Sequence, residues 1–203
     1  KVPFDADNCA GEYDRTKAHA SLEVLQVVEE GLDAVIVCPT GVIGPFDYRG
    51  SEMGEMVREW MQRKMNMLVE GAYDFVDVRD VARGHRLACE SGRKGNVYIL
   101  SGHQIHLFKL KESVQNVIGF HTPTWFVPIW LAKIGSLISP IYYRLTRRTP
   151  KFTKYALETI NSNSVISSAK ARHELKYKVR PVIETITDTV KWLQGYAGMN
   201  EIV

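Results

Sequence analysis

The sequence predicts an α/β fold built around a parallel sheet, and three observations lead to this expectation. A helical segment at 13–30 precedes the apolar run 32–38, which is rich in β-branched residues and bounded by Gly31 and Pro39. Such a run, apolar except for Asp33, is typical of a parallel strand that is covered on both faces. Further short apolar runs alternate with helical segments along the rest of the chain.

The later elements follow from the same periodicities. Strands are predicted at 67–69, 74–78 and 97–100, and helices at 51–64, 107–118, 153–160, 169–175 and after Pro181. The methionine-rich face of the helix at 51–64 is expected to fill the core more than to shape a pocket.

Length and composition are those of an ordinary globular protein. The 203 residues are 45% hydrophobic and 24% charged, and the net charge of +3 is too small to indicate a nucleic-acid partner. A basic run from Arg144 to Lys154 is interpreted as a solvated face. Three widely spaced cysteines predict reduced thiols in the cytoplasm. The first residues show neither a signal peptide nor an initiator methionine, so we expect a fragment.

Tyr13 and Lys17 stand one turn apart at the head of the first predicted helix. This spacing places both side chains on one face, so that the ammonium can approach the phenol and favour the phenolate form. Such a tyrosine is suited to proton transfer, although the same spacing also occurs on ordinary amphipathic helices. A turn-rich loop, Pro39 to Pro45, follows the strand at 32–38, at the end where open α/β sheets bind ligands.

The order of these motifs resembles the extended short-chain dehydrogenase/reductases, the NAD-dependent epimerase/dehydratase family, and within it the dihydroflavonol-4-reductase-like branch. The resemblance rests on four segments: Tyr13-x-x-x-Lys17, Pro39-Thr-Gly-Val-Ile-Gly-Pro45, Phe75-Val-Asp-Val-Arg-Asp-Val-Ala82, and the C-terminal pattern from Ser167 to Trp192. It covers most of the chain.

The resemblance implies the second half of a Rossmann-type doubly wound parallel sheet plus a small, mostly helical substrate-side domain. Residues 1–48 would carry the catalytic helix, strand and ligand loop. Residues 49–203 would form the substrate-side region, interleaved with returning Rossmann elements near 74–101.

The resemblance also implies an NAD(P)-dependent oxidoreductase that reduces a carbonyl or oxidises an alcohol of a small-molecule substrate by hydride transfer. Tyr13 would be the acid/base, and Lys17 would favour its phenolate and hydrogen-bond the nicotinamide ribose. The cofactor, NAD or NADP, would be contacted by Tyr13, Lys17, Pro39, Thr40, Gly41 and Val42. A nucleotide-sugar epimerase or dehydratase stays open as an alternative, as does a non-catalytic fragment or binding module.

One part of the family pattern is not found, namely the glycine-rich strand-turn-helix that binds the dinucleotide pyrophosphate. The glycines Gly41 and Gly44 follow a strand but lead into Pro45 and not into a helix. We therefore expect a missing N-terminal segment of the same protein as a partner, without which cofactor binding would be incomplete. A homodimer is a further option, because a strand buried on both faces needs neighbours.

Other polar clusters have simpler interpretations. Asp77, Arg79 and Asp80 are interpreted as a capping and ion-pairing group, with Asp80 as the N-cap of the helix that follows. No metal site is predicted at His103 and His106, because no cysteine or carboxylate stands nearby at ligand spacing.

Residues 125–143 form an apolar stretch with one charge, followed by the basic run. Pro128 and Pro140 would break a membrane-spanning helix, so we predict an amphipathic helix that covers a pocket or packs a small domain. Attachment of this helix to a membrane surface stays open as the alternative.

Overall fold

The computed structural model describes residues 4–9, 11–131 and 165–200. In chain order the elements are α1 (Glu12–Glu29), β1 (Ile36–Pro39), β2 (Gly41–Ile43), α2 (Glu52–Trp60), β3 (Asn66–Val69), β4 (Ala72–Asp77), α3 (Val78–Ser91), β5 (Val97–Leu100), β6 (His103–His106), α4 (Leu107–Ile118), β7 (Thr124–Val127), α5 (Ala169–Glu174) and α6 (Val182–Asn200).

The strands pair mainly in parallel, which confirms the predicted α/β fold. β1 pairs with β5, β2 with β4, and β3 with β7, all in parallel. β6 runs antiparallel to β4, so that β4 lies in the middle of the order β2-β4-β6. Helix α3 contacts strands of both the β1-β5 pair and the β2-β4-β6 sheet, and so joins them.

Two hydrophobic clusters form the core. The first lies between α2, α4, α6 and strands β2 to β4, and its buried members are Ile43, Val57, Trp60, Leu68, Phe75, Leu107, Leu110, Val114, Ile186, Val190 and Leu193. The second lies between α3, α5 and strands β4 and β5, and consists of Val76, Val81, Ala88, Tyr98, Leu100, Ala171, Leu175 and Tyr177. The methionines Met53, Met56 and Met61 pack against the first cluster, which confirms that they fill the core.

Elements with strong local signals match their predicted positions. β5 covers the predicted residues 97–100, and α4 covers 107–118. Gly119 ends α4 with a φ of 81°, a left-handed conformation that glycine adopts without strain.

Three short strands were not predicted. β2 lies within the segment 39–45 for which a turn-rich loop is predicted, and no element is predicted at β6. β7 occupies the start of the segment 125–143, for which an amphipathic helix is predicted. Each has only three or four residues and exists through pairing with β4 or β3, a long-range interaction that local periodicity does not report. The rest of that segment, from 132 onward, lies outside the described residues, as do the basic run and the helix predicted at 153–160.

The prediction for the strand at 32–38 was wrong in extent and burial. Leu32 is 47% exposed, the strand begins at Ile36, and β1 is only half-buried up to Cys38. Among the described strands β5 is its one neighbour, so one edge of β1 lacks a strand partner there. In the part of the chain that the structure describes, no helix has the length and apolar character needed to cross a membrane.

Gly102 allows the two sheets to meet. Its backbone lies so close to β4 that an added Cβ would stand 2.7 Å from the Cα of Val76 and closer still to the carbonyl oxygen of Phe75. No side chain fits there, so the turn between β5 and β6 requires glycine.

We expect Gly102→Ala to lower the free energy of unfolding by about 3 kcal/mol, because the new methyl group meets backbone atoms that cannot rotate away. Urea unfolding of the purified protein measures this loss. Gly195→Ala is the control, since Gly195 lies in α6 with open space around it, and alanine there should stabilise the helix by up to about 1 kcal/mol. Equal stability of the two variants would contradict the close approach.

Candidate active site

The Tyr13 and Lys17 side chains lie on one exposed face at the start of α1. The helix begins after Gly11, whose backbone is extended, and the acidic residues of its first turn complement the helix dipole. The ammonium nitrogen Nζ of Lys17 is 5.6 Å from the centre of the Tyr13 ring. Tyr13 is 64% exposed, so a ligand can reach its phenol oxygen.

Tyr13 and Lys17 together provide a group for proton transfer and a hydrogen-bond donor. A phenol can donate or accept a proton, and an ammonium presents three donors that can serve both the phenol and the hydroxyls of a sugar. The arrangement can therefore protonate an oxygen and hold a ribose at the same time.

The predicted ligand loop leads from β1 into β2. Pro39 and Val42 are exposed, while Thr40 and Gly41 are half-buried. Gly41 lies directly against β4, because a Cβ at this position would stand 3.0 Å from the Phe75 ring and 3.1 Å from the carbonyl oxygen of Asp74. Pro39 is the last residue of β1, and Gly41 and Val42 begin β2, so Thr40 alone connects the two strands.

Asp74 holds this loop in place, and sequence reasoning did not identify it. Its carboxylate is 6% exposed, and the oxygen Oδ1 accepts hydrogen bonds from the Thr40 hydroxyl at 2.6 Å and from the Gly102 N–H at 2.8 Å. The Thr40 N–H donates to the carbonyl oxygen of Leu100 at 3.3 Å. The signal in the sequence was an acid within an apolar strand, because a buried carboxylate requires partners.

Asp77 and Arg79 form a capping and ion-pairing group, as predicted, but the N-cap itself was assigned to the wrong residue. Asp77, not Asp80, precedes α3 and accepts from the backbone N–H of Arg79 at 2.8 Å. The Arg79 guanidinium binds the same carboxylate through two bonds of 2.9 and 2.8 Å, and reaches Asp188 of α6 at 2.7 Å. The helix therefore starts three residues earlier than expected.

Asp80 is instead buried inside the first turn of α3 and is 1% exposed. It accepts from the backbone N–H of Arg180 at 2.8 Å and from its guanidinium at 3.0 Å. The carbonyl oxygen of Arg180 lies 2.8 Å from Nε2 of His103, and since a carbonyl only accepts, Nε2 carries the proton. His103 thus has a structural partner, and the described residues hold no group of three potential metal ligands.

Burial raises the pKa of the Asp77 carboxyl, but the hydrogen bonds from Arg79 lower it more, so that the pKa lies below its ordinary value. A carboxyl with a lowered pKa stabilises the fold above the unfolded-state pKa near 4, and this contribution is lost as the pH falls through the folded-state pKa.

We therefore expect Asp77→Asn to reduce the free energy of unfolding at neutral pH by about 2 kcal/mol, because the charged hydrogen bonds to Arg79 are weakened. The variant should also lose less stability than the wild type between about pH 5 and about pH 2. Urea unfolding across this range measures both effects. Glu90→Gln, at an exposed ion pair with Arg86, is the control that should change stability little.

Comparison with known proteins shows which family the chain resembles. Residues 3–101 match the model of the family described as NAD dependent epimerase/dehydratase. Sterol demethylase protein B of Methylococcus capsulatus is 30% identical over 185 residues, which are 90% of this chain and 56% of the relative. A protein of Synechocystis provisionally named dihydroflavonol 4-reductase is 28% identical over 190 residues, 92% of this chain and 55% of the relative.

Solved structures share the fold. The crystal structure of gox2253 has a TM-score of 0.78 and 32% identity, and the match covers 95% of this chain and 58% of that one. RMD from Pseudomonas aeruginosa, solved with NADPH, has a TM-score of 0.64 at 17% identity. The dTDP-glucose 4,6-dehydratase from Bacillus anthracis, solved with NAD, has a TM-score of 0.67 at 16% identity. At such low identity the likeness concerns the fold alone. These matches cover 88% and 96% of this chain, and 54% and 57% of those chains.

The chain spans a little more than half the length of the curated relatives it matches. The motif order, the parallel strand pairing, the family match and the shared fold agree with one another. Residues 3–101 thus match the NAD-dependent epimerase/dehydratase family, and the two relatives are consistent with the extended short-chain dehydrogenase/reductases.

Proposed function

We propose that the protein is an NAD(P)-dependent oxidoreductase that interconverts a carbonyl and an alcohol on a small molecule. The observation that carries this proposal is the exposed Tyr13 phenol with the Lys17 ammonium 5.6 Å from its ring centre. The family match supports it, and so do the two fold neighbours that hold NADPH and NAD.

The residues present fit one end of a nicotinamide nucleotide. Lys17 can donate to ribose hydroxyls, and the small side chains of Pro39 to Val42 leave a flat ring room to approach the backbone. The bound nucleotide supplies the hydride chemistry. Tyr13 gives a proton to the substrate oxygen during reduction and takes it back during oxidation. Lys17 orients the phenol and stabilises the phenolate left behind.

A nucleotide-sugar epimerase or dehydratase uses the same cofactor but shows no net change in its redox state. Fold neighbours of this class, such as a nucleoside-diphosphate-sugar epimerase from Pseudomonas aeruginosa at 20% identity, support the fold alone. The two curated relatives, at 30% and 28% identity, are named as a demethylase and a reductase, and this favours net redox chemistry. Steady oxidation of reduced nicotinamide by a carbonyl substrate distinguishes the two.

We expect Tyr13→Phe to lower kcat by about 100-fold or more, because the substrate oxygen loses its proton donor while the aromatic ring stays. The assay follows the absorbance of reduced nicotinamide with the complete gene product. Tyr48→Phe is a matched control, since Tyr48 is also 64% exposed and its ring keeps its edge contact with Trp192. A Tyr13→Phe variant with the rate of the wild type would remove Tyr13 from the mechanism.

We also propose that the remainder of the protein supplies the pyrophosphate site and a strand that pairs with the open edge of β1. The half-buried state of β1 and the greater length of the relatives support this. A doubly wound sheet binds its dinucleotide across both halves.

This proposal predicts that the 203-residue chain binds NADH and NADPH at least about 100-fold more weakly than the complete gene product, because the amides that hold the pyrophosphate are absent from it. Titration followed by nicotinamide fluorescence compares the two proteins. Equal affinity in both would show that the residues 1–203 suffice for binding.

A further inference from the structure

Asp74 is a buried acid that lies beside the carboxyl ends of β1 and β5. It lies in β4, yet its two hydrogen bonds go to residues of two other connections, Thr40 between β1 and β2 and Gly102 between β5 and β6. Both bonds end on the same oxygen, Oδ1. The oxygen Oδ1 therefore links the β1–β2 connection to the β5–β6 connection.

The two hydrogen bonds to Asp74 are short, at 2.6 and 2.8 Å, and partly buried. Two hydrogen bonds hold Thr40. Its N–H donates to the carbonyl oxygen of Leu100, and its hydroxyl donates to Oδ1 of Asp74. Gly41, the next residue, is pressed against the backbone of β4. Gly41 and Val42 are also paired with Phe75 and Val76 of β4, so the bonds of Thr40 act next to a segment that strand pairing already holds against β4.

We propose that Asp74 is a positioning residue that sets where the Pro39–Val42 loop meets the nicotinamide ring. This inference rests on the proposed function, because it assigns that loop to the cofactor. Asp74 does not touch the reacting atoms and acts through Thr40 and Gly102. Its effect is on the placement of the cofactor against the Tyr13 phenol, where small displacements change rates strongly.

The alternative is that Asp74 only stabilises the fold. Asp77 provides the comparison, because it is a carboxylate of the same strand with similar burial, at 4% against 6% exposed. Its partners are Arg79 in α3, Arg180 just before α6 and Thr185 in α6, and none of them lies in the Pro39–Val42 segment. A general loss of stability affects both variants, whereas a displaced loop affects only Asp74 variants.

The test compares Asp74→Val with Asp77→Val in the complete gene product, measuring KM and kcat, the dissociation constant for NADH and NADPH, and urea unfolding. Asp74→Val should raise the nucleotide KM and dissociation constant by about 10- to 100-fold, because both donors lose their acceptor and the loop shifts. Asp77→Val should be destabilised with a nucleotide KM within about twofold of the wild type. Asp74→Asn, which keeps a carbonyl oxygen as acceptor, should restore the KM to within about threefold.

Thr40→Val and Thr40→Ser give the same comparison if Asp74→Val does not fold, since valine removes one donor and serine keeps it. Unchanged nucleotide binding in Asp74→Val or Thr40→Val, with only a loss of stability, would overturn the positioning role while leaving the proposed function intact. Wild-type protein that binds neither NADH nor NADPH would instead overturn the proposed function, and the positioning role with it.

Discussion

The buried carboxylate of Asp74 makes the interaction on which this end of the fold depends, because its Oδ1 joins connections that begin at different strands. The β1-β5 pair and the β2-β4-β6 sheet are separate in their backbone hydrogen bonding. They are held together by α3, by the close approach of Gly102 to β4, and by the bonds from Thr40 and Gly102 to this carboxylate. These three contacts bring the carboxyl ends of β1 and β5 to β4.

Asp74, Asp77 and Asp80 are spaced three residues apart and all are buried, but two different kinds of partner satisfy them. Asp74 is satisfied by neutral donors, a hydroxyl and a backbone amide, whereas Asp77 and Asp80 are paired with the guanidinium groups of Arg79 and Arg180. The difference follows from position, since the first acid faces the loops and the other two face α6 and the segment before it. Buried carboxylates are stable only when their partners are complete, so this short stretch constrains residues from 40 to 188.

The sequence predicted what local spacing encodes. Tyr13 and Lys17 share a face because of their separation on one helix, and α4 ends at Gly119 because that residue adopts a left-handed backbone. The strands β2, β6 and β7 could not be predicted, because a strand of three or four residues is stabilised by its neighbour and not by its own composition. The role of Asp74 was hidden for the same reason, since its partners stand 34 and 28 residues away.

The ion pairs between α3 and the C-terminal part of the chain have a consequence for how the protein folds. Asp80 and Arg180 are separated by 100 residues, and Arg79 and Asp188 by 109. Contacts of such sequence separation form late, because the intervening chain must first lose its entropy. During synthesis, β4 and α3 leave the ribosome long before residues 180 and 188, so Asp80 still lacks its bonds from Arg180, and Arg79 still lacks Asp188. We therefore expect the docking of α6 to be a late step of folding.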